Sequence, residues 1–324
     1  MGLGRPIGMA MRGDDVGRDM TLGVALSTPG DGNAVDGVVA LAREAVSAGL
    51  ISAWLGQRFD YDAITLAGII GREIPELRVG TSAVPIFARH PSLVIGQAQT
   101  VQAATHGRFQ LGLALGSSLT ERAFGVPFSR PVALLREFLT SARALVTTGT
   151  ADHHGELLTV APPFPAVVPG AGTDLPILVA AMGPKALAVS GELADGILPF
   201  LAGPATLERH IVPVVNAAAE AAGRPPVRII AFVAAVVTGD VEAGRESARA
   251  AMGLYNTIPS YRRVIELEGA REAADLALVG SAAHVRAGVK RYFDAGATEV
   301  VLTQTDLLGI GVQRDTWNAL GDLR

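Results

Sequence analysis

An α/β fold of eight strand–helix units is what this 324-residue sequence predicts. Three observations carry that prediction. Eight short apolar runs recur along the chain, each of strand length. Helical runs separate nearly all of them, which implies parallel strands covered on both faces. No composition shift marks a boundary between domains, and eight parallel strands suffice to close a (β/α)8 TIM barrel. A doubly wound open sheet is the structural rival.

The units follow in order. "TLGVALS" (Thr21–Ser27) reads as strand one, and Val35–Gly49 as an amphipathic helix closed by glycine. "ISAWLG" (Ile51–Gly56) is strand two, with a helix over Ala63–Arg72. Leu77–Val84 is strand three, followed by the helix Ser92–Ala104. Arg108–Leu115 is strand four, and Pro131–Thr147 its helix. A small hairpin near "DHHGELLTV" and the Pro/Gly-rich loop Ala161–Pro176 come next. Pro176–Ala181 is strand five, with a helix over Pro184–Ala194. Gly196–Phe200 is strand six, with a helix over Ala205–Ala222. Val227–Val237 is strand seven, an irregular region spans Tyr255–Gly280, and Thr298–Gln304 is strand eight. Residues 1–20 are rich in glycine and charge, which predicts a flexible extension, with Met20 a candidate natural start and 21–324 one domain.

Composition narrows the function. Apolar residues are 49% and charged residues 18%, enough to bury a large core. A net charge of −4 without a basic run gives no footprint for nucleic acid. No apolar run reaches the length of a membrane span. Cysteine is absent, which removes disulfides, thiolate catalysis and thiolate metal sites, and fits a cytoplasmic protein. The histidines show no H-x-x-x-H spacing, so no metal site is expected. His90, beside Pro91, is read as fixing its loop. No G-x-S-x-G supplies a nucleophile, and Asp195 reads as part of a turn before strand six.

Barrel chemistry sits after the carboxyl ends of the strands. "GRFQLGLALGSS" (Gly107–Ser118) breaks from strand into Gly116, Ser117 and Ser118. Glycine lets an anion approach the backbone and serines add hydroxyl donors, although an ordinary turn reads the same way. The loop lacks the G-x-G-x-x-G of a dinucleotide site. After strand five, "AAMGPK" places small Ala180 and Ala181, then Met182, Gly183 and Pro184, at a helix N-terminus with Lys185 beside it. Strands four and five are barrel neighbours, so the two loops are able to share one phosphate. Small Ser82 and Ala83 end strand three, where a planar ring has room against the backbone. No side chain stands out as the chemical agent, which favours a cofactor with its own reactivity over a cofactor-free binding barrel.

Four stretches, in order, resemble the luciferase-like superfamily of flavin and deazaflavin oxidoreductases. They are "AWLGQRFDYDAITLAG", "LRVGTSAVPIFARHPSLVIGQAQTVQAATHGRFQLGLALGSS", "PILVAAMGPKALAVSGELADGILPF" and "GSAAHVRAGVKRYFDAGATEVVL". "RHPSLVIGQAQTVQAATHGRFQLGLALG" is similar to the branch that uses the deazaflavin coenzyme F420. The resemblance implies a (β/α)8 barrel with an insertion after strand seven, usually a homodimer. It implies a bulge in strand three, often with a non-prolyl cis peptide, here Ser82–Ala83. It places coenzyme contacts at Gln57, at Ser82, Ala83 and Val84, and at Leu115, Gly116, Ser117 and Thr120. Further coenzyme contacts fall at Ala181, Met182, Gly183, Lys185 and Ala186.

The sugar-phosphate dehydrogenases of this superfamily carry an Asp-His pair and a glutamate where this chain has Gln57-Arg58 and Ser117. The apparatus for oxidising a sugar hydroxyl is therefore missing. Arg58 cannot act as a base because its pKa exceeds 12. It either binds an anionic group or polarises a carbonyl, or it is a plain surface arginine. "YNTIPSYRRVIELEG" resembles the family's insertion bordering the substrate pocket, which implies that Tyr255, Tyr261 and Arg262 lie near substrate. The expected activity is hydride transfer between F420 and a small organic substrate. The alternative is an FMN-dependent monooxygenase supplied with reduced flavin.

Overall fold

The computed structural model describes residues 20–28, 30, 32–116 and 118–323. The expected extension, apart from Met20, lies outside the described residues, as does Ser117.

Strand–helix alternation runs through the chain. β1 (Leu22–Leu26), α1 (Ala34–Ser47), β2 (Ser52–Leu55) and α2 (Ala63–Glu73) form the first two units. β3 (Arg78–Thr81), β4 (Val84–Pro85) and α3 (Pro91–Ala104) form the third. β5 (Phe109–Ala114) leads through α4 (Ser118–Phe124) to α5 (Pro131–Thr148). The predicted hairpin is the antiparallel pair β6 (His153–His154) and β7 (Thr159–Val160). β8 (Ile177–Ala180), α6 (Pro184–Leu193) and β9 (Gly196–Ile197) follow, then α7 (Pro204–Thr206) and α8 (Val212–Ala221). β10 (Arg228–Val237) precedes α9 (Val241–Met252), α10 (Pro259–Glu268) and β11 (Leu278–Gly280). α11 (Ala282–Asp294), β12 (Glu299–Thr303) and α12 (Ile310–Leu320) complete the chain.

Parallel pairing runs β12–β1–β2–β3–β5–β8–β9–β10, and the β10–β12 pair closes the ring. The eight-stranded barrel is thus closed, and the open-sheet rival is excluded. Local chemistry sets the helix starts. Asn33 caps α1 by accepting from the amides of Val35 and Asp36. His90 caps α3 through Nδ1, and its Nε2 lies 2.9 Å from the carbonyl of Thr159 on the hairpin. Asp195 holds the turn before β9, accepting from the amide of Ile177 and pairing with Arg224 at 3.1 Å.

Three expectations need correction. Strand three is two pieces, β3 and β4, because the Ser82–Ala83 peptide is cis and interrupts the ladder to β5. The helix over Ala205–Ala222 is divided by a π-helical turn, Leu207–Ile211. The Tyr255–Gly280 region is not irregular. It holds the end of a 3₁₀ turn (Gly253–Thr257), α10, another 3₁₀ turn (Ala273–Leu276) and β11. β11 pairs in parallel with Ala235–Val237, so the long β10 carries the insertion on its upper end.

Two apolar cores result. One lies between strands and helices and takes the outward strand residues, such as Val24, Val79 and Leu111. The other fills the barrel with Trp54, Leu178, Leu198, Ile230, Phe232 and Val301. Period-two alternation separates the two sets along each strand. Glycine makes room for the indole, since a Cβ on Gly80 would stand 2.5 Å from the Trp54 ring. Beneath it the first residues of the strands form a polar base. Glu299, 1% exposed, accepts from Ser52 Oγ, from the Trp54 indole at 3.1 Å and from Arg228 at 3.1 Å, with Arg78 at 3.7 Å. No helix among the described residues is long and apolar enough to cross a membrane.

Candidate active site

At the other end of the barrel the inward positions are small apart from Phe200. Ala25, Ala83, Ala180 and Phe200 pack on top of the interior core and are only partly buried. Strand register gathers the predicted loops here. Val84 pairs with Leu113 and Leu113 with Val179, and in the next row Pro85 pairs with Ala114 and Ala114 with Ala180. The segments Ser82–Val84, Leu115–Gly116 and Ala181–Ala186 therefore leave adjacent strands side by side.

The bulge is held by hydrogen bonds that the broken ladder no longer provides. Thr81 Oγ1 donates to the carbonyl of Gly112 at 2.8 Å and accepts from its amide at 2.9 Å. The amide of Ser82 donates to Leu55 at 2.8 Å, and that of Ile86 to Ala114 at 2.9 Å. Only glycine fits opposite the bulge, because a Cβ on Gly112 would sit 1.8 Å from the Thr81 carbonyl oxygen.

The two anion-loop candidates differ in what surrounds them. Gly116 has φ 91°, the left-handed region that favours glycine. Gly183 starts α6 without a side-chain cap, and Pro184 follows at the first helical position. The amides of Lys185 and Ala186 are thus left without helix partners. A Cβ on Gly183 would meet nothing within 4 Å, so the space beside this turn is open. Lys185 is exposed and has no carboxylate within 4.0 Å among the described residues. Ser117 and the Thr120 side chain lie outside the described residues.

The loop after β2 is organised by its own polar groups. Gln57 donates to the carbonyls of Arg58 and Tyr61, both at 2.7 Å, and accepts from the amide of Ala63 and from Arg89, both at 3.2 Å. Its carboxamide is committed to the loop rather than turned free into the mouth. Arg58 is exposed and pairs with Asp60 at 3.0 Å. Tyr255 and Tyr261 are brought together with Phe200, the residue that ends strand six. The three rings pack edge to face with centroids 5.1–5.8 Å apart. Arg262, on the same helix as Tyr261, is exposed and pairs with Glu266 at 2.9 Å. Burial raises the Tyr255 hydroxyl above its ordinary value. Burial first, and then neighbouring Tyr255, push Tyr261 up to about 12. Both hydroxyls are hydrogen-bond donors at neutral pH.

Sequence reasoning missed Ala25, Ala114, Phe200 and Gly112 as parts of this site. Period-two alternation was the available signal, since all four stand at inward or bulge-facing positions of strands that the sequence already showed. Leu201 (φ 56°) and Gln304 (φ 46°), at the ends of strands six and eight, take left-handed backbone with no such signal. Among the described residues no group of three or more His, Cys, Asp or Glu side chains is arranged to hold a metal ion.

This geometry has known counterparts. A ketoreductase acting on phthiodiolone and phenolphthiodiolone dimycocerosates, from Mycobacterium tuberculosis, is 32% identical over 203 residues, which is 58% of this chain and 51% of the relative. The chain thus spans about half the length of the mycobacterial relatives it matches. The coenzyme F420-dependent tetrahydromethanopterin reductase of Methanopyrus kandleri superposes with a TM-score of 0.75 at 19% identity, over 94% of this chain and 98% of that one. The FMN complex of the oxygenating constituent of 3,6-diketocamphane monooxygenase, from Pseudomonas putida, also gives 0.75, at 15% identity over the same shares. Residues 20–299 match the luciferase-like monooxygenase family, and the chain belongs to that family.

Proposed function

We propose that this chain is an oxidoreductase that moves hydride between coenzyme F420 and a small organic substrate held over the barrel mouth. One observation carries the reading. Three small-residue strand ends lie side by side on adjacent strands, with open space at Gly183 and the uncapped, lysine-bearing start of α6. The residues present fit a ring-and-phosphate coenzyme. Ala25, Ala83 and Ala180 keep the top of the interior core free of bulky side chains on their strands, and the Lys185 ammonium with the α6 amides suits a phosphate. When bound, the deazaflavin supplies hydride at its C5.

The chain's own groups do the rest. The bulge braced by Thr81 sets the position of Ala83. The Tyr255 and Tyr261 hydroxyls donate hydrogen bonds to a substrate oxygen, and Phe200 with the tyrosine rings keeps water from that side of the mouth. The F420-dependent reductase and the mycobacterial ketoreductase among the similar proteins support this reading. The FMN-bound neighbour supports the alternative, a monooxygenase on the same scaffold. Parallel titration of purified protein with F420 and with FMN decides between them. Micromolar binding of F420 with weak or no FMN binding is expected, and the reverse order overturns the proposal.

The active unit is proposed to be a cytoplasmic homodimer. A groove of about 820 Å³ runs between α2 and α3 over Gly68 and Gly96, beside the projecting Leu93, 71% exposed. A two-fold interface pairs the same patch on both copies, and in the proposed dimer Leu93 of each copy enters the groove of the other. Leu93→Glu is expected to yield a monomer by light scattering. An unchanged mass would contradict this.

A further inference from the structure

The insertion holds a cavity that the mouth does not use. About 460 Å³ opens between the end of α10, the second 3₁₀ turn, β11 and α11, with Pro204 at the start of α7 also lining it. Glu268 faces this cavity, whereas Tyr261 stands about two turns earlier on the same helix. Roughly 10 Å of helix axis therefore separates the cavity from the aromatic cluster at the mouth.

The charged residues that line it are Glu268, Arg271, Asp275 and Arg291, and the two signs are held differently. Both carboxylates are taken by backbone amides. Glu268 accepts from Ala205 at 3.2 Å and from Thr206 at 2.7 Å. It lies so close to the start of α7 that a Cβ on Gly203 would stand 2.2 Å from its carboxyl carbon. Asp275 accepts from the amides of Arg271 at 3.0 Å and Glu272 at 3.2 Å. The guanidiniums are looser. Arg271 is 93% exposed, with Asp275 no nearer than 3.9 Å. Arg291 pairs with no carboxylate among the described residues, and neighbouring Asp294 is held by Lys290 at 2.7 Å.

Tyr292 supplies an independent sign of a ligand. It lines the cavity and is only 4% exposed, yet its hydroxyl has no hydrogen-bond partner among the described residues. Buried hydroxyls are ordinarily bonded. Burial, and then the nearby Glu268 carboxylate, raise its pKa above the ordinary value, so it stands as a donor at neutral pH. The unfilled capacity of the cavity is thus donor capacity with positive charge. Pro204, Leu276 and Leu278 make another part of the wall apolar. A dianion would meet twice the repulsion from Glu268 and Asp275 that a single charge meets.

We propose that this cavity is a ligand site of its own for a small organic monocarboxylate. The carboxylate accepts from Arg291 and Tyr292, and a short apolar chain lies against Pro204, Leu276 and Leu278. Calorimetric titration of the coenzyme-free protein with butyrate tests this, with butyramide and inorganic phosphate as comparisons. Butyrate is expected to bind, and both comparisons at least about tenfold more weakly, as loss of a charged hydrogen bond requires. Arg291→Gln should weaken butyrate about a hundredfold and Tyr292→Phe about tenfold. Arg291 is exposed, so its variant keeps the fold and carries the test even where Tyr292→Phe lowers the Tm. Lys185→Ala, at the mouth, should leave butyrate affinity unchanged. No butyrate binding, or phosphate binding the tighter, overturns the proposal. So does full butyrate affinity in Arg291→Gln, and a loss seen only in Lys185→Ala assigns the carboxylate to the mouth instead.

Discussion

The two ends of the barrel are built from opposite materials. At the base, Glu299 is closed in by Ser52, Trp54, Arg78 and Arg228, and its carboxylate is almost fully paired. At the mouth, Ala25, Ala83, Ala180 and Gly183 leave space, and the first amides of α6 have no side-chain cap. Buried charge needs partners on every side, whereas a binding site needs groups left wanting them. The base therefore fixes strand register, and the mouth is where binding is available. Chemistry at the carboxyl ends and stability at the amino ends is the general division of labour in such barrels.

Substitutions at the two ends should separate these roles. The largest effect is expected at the base. Glu299→Gln removes the charge that Arg228 and Arg78 share, and should destabilise the fold by about 3–5 kcal/mol in urea titration. A loss below 1 kcal/mol, on the same scale, would mean the base is not the structural anchor. Gly112→Ala couples the two ends, because its Cβ would collide with the Thr81 carbonyl under the bulge. It should lose about 1–3 kcal/mol of stability and weaken coenzyme binding with it. Lys185→Ala belongs to the mouth alone. It should weaken coenzyme binding about ten- to a hundredfold, the range of a charged hydrogen bond, and leave the Tm of the unliganded protein unchanged.

The smallest effect is expected at Tyr261. Tyr261→Phe keeps the ring packing and removes only the hydroxyl, so KM should rise by up to about tenfold with little change in stability. Its folded pKa of about 12 lies above the ordinary 10.0, so the folded state holds its proton where the unfolded chain has lost it. Stability from this group is thus present below pH 10 and declines as pH rises from 10 toward 12. In the wild type the decline should be steeper than in Tyr261→Phe.

Much of this contrast could be read in the sequence, and what could not has a physical reason. The eight strands are apolar runs ended by glycine, proline or small residues, so periodicity exposed them. The mouth loops were visible because "GRFQLGLALGSS" and "AAMGPK" fall at strand ends. Glu299 was not, since a carboxylate opening the run "TEVVLTQ" looks like a solvated strand end until the arginines of two other strands are seen around it. The cavity between α10 and α11 was equally hidden, because it joins segments that sequence spacing cannot relate. The insertion was read as irregular because two 3₁₀ turns and a three-residue strand surround its one ten-residue helix, α10. β11, three residues long, gains its place only by pairing with the end of β10.

The central claim is that the mouth binds the coenzyme and the base only supports it. Equilibrium binding of F420 to wild type, Lys185→Ala and Glu299→Gln, each below its unfolding transition, tests this most directly. The account predicts a large loss of affinity for Lys185→Ala and wild-type affinity for Glu299→Gln. Wild-type affinity in Lys185→Ala would contradict it.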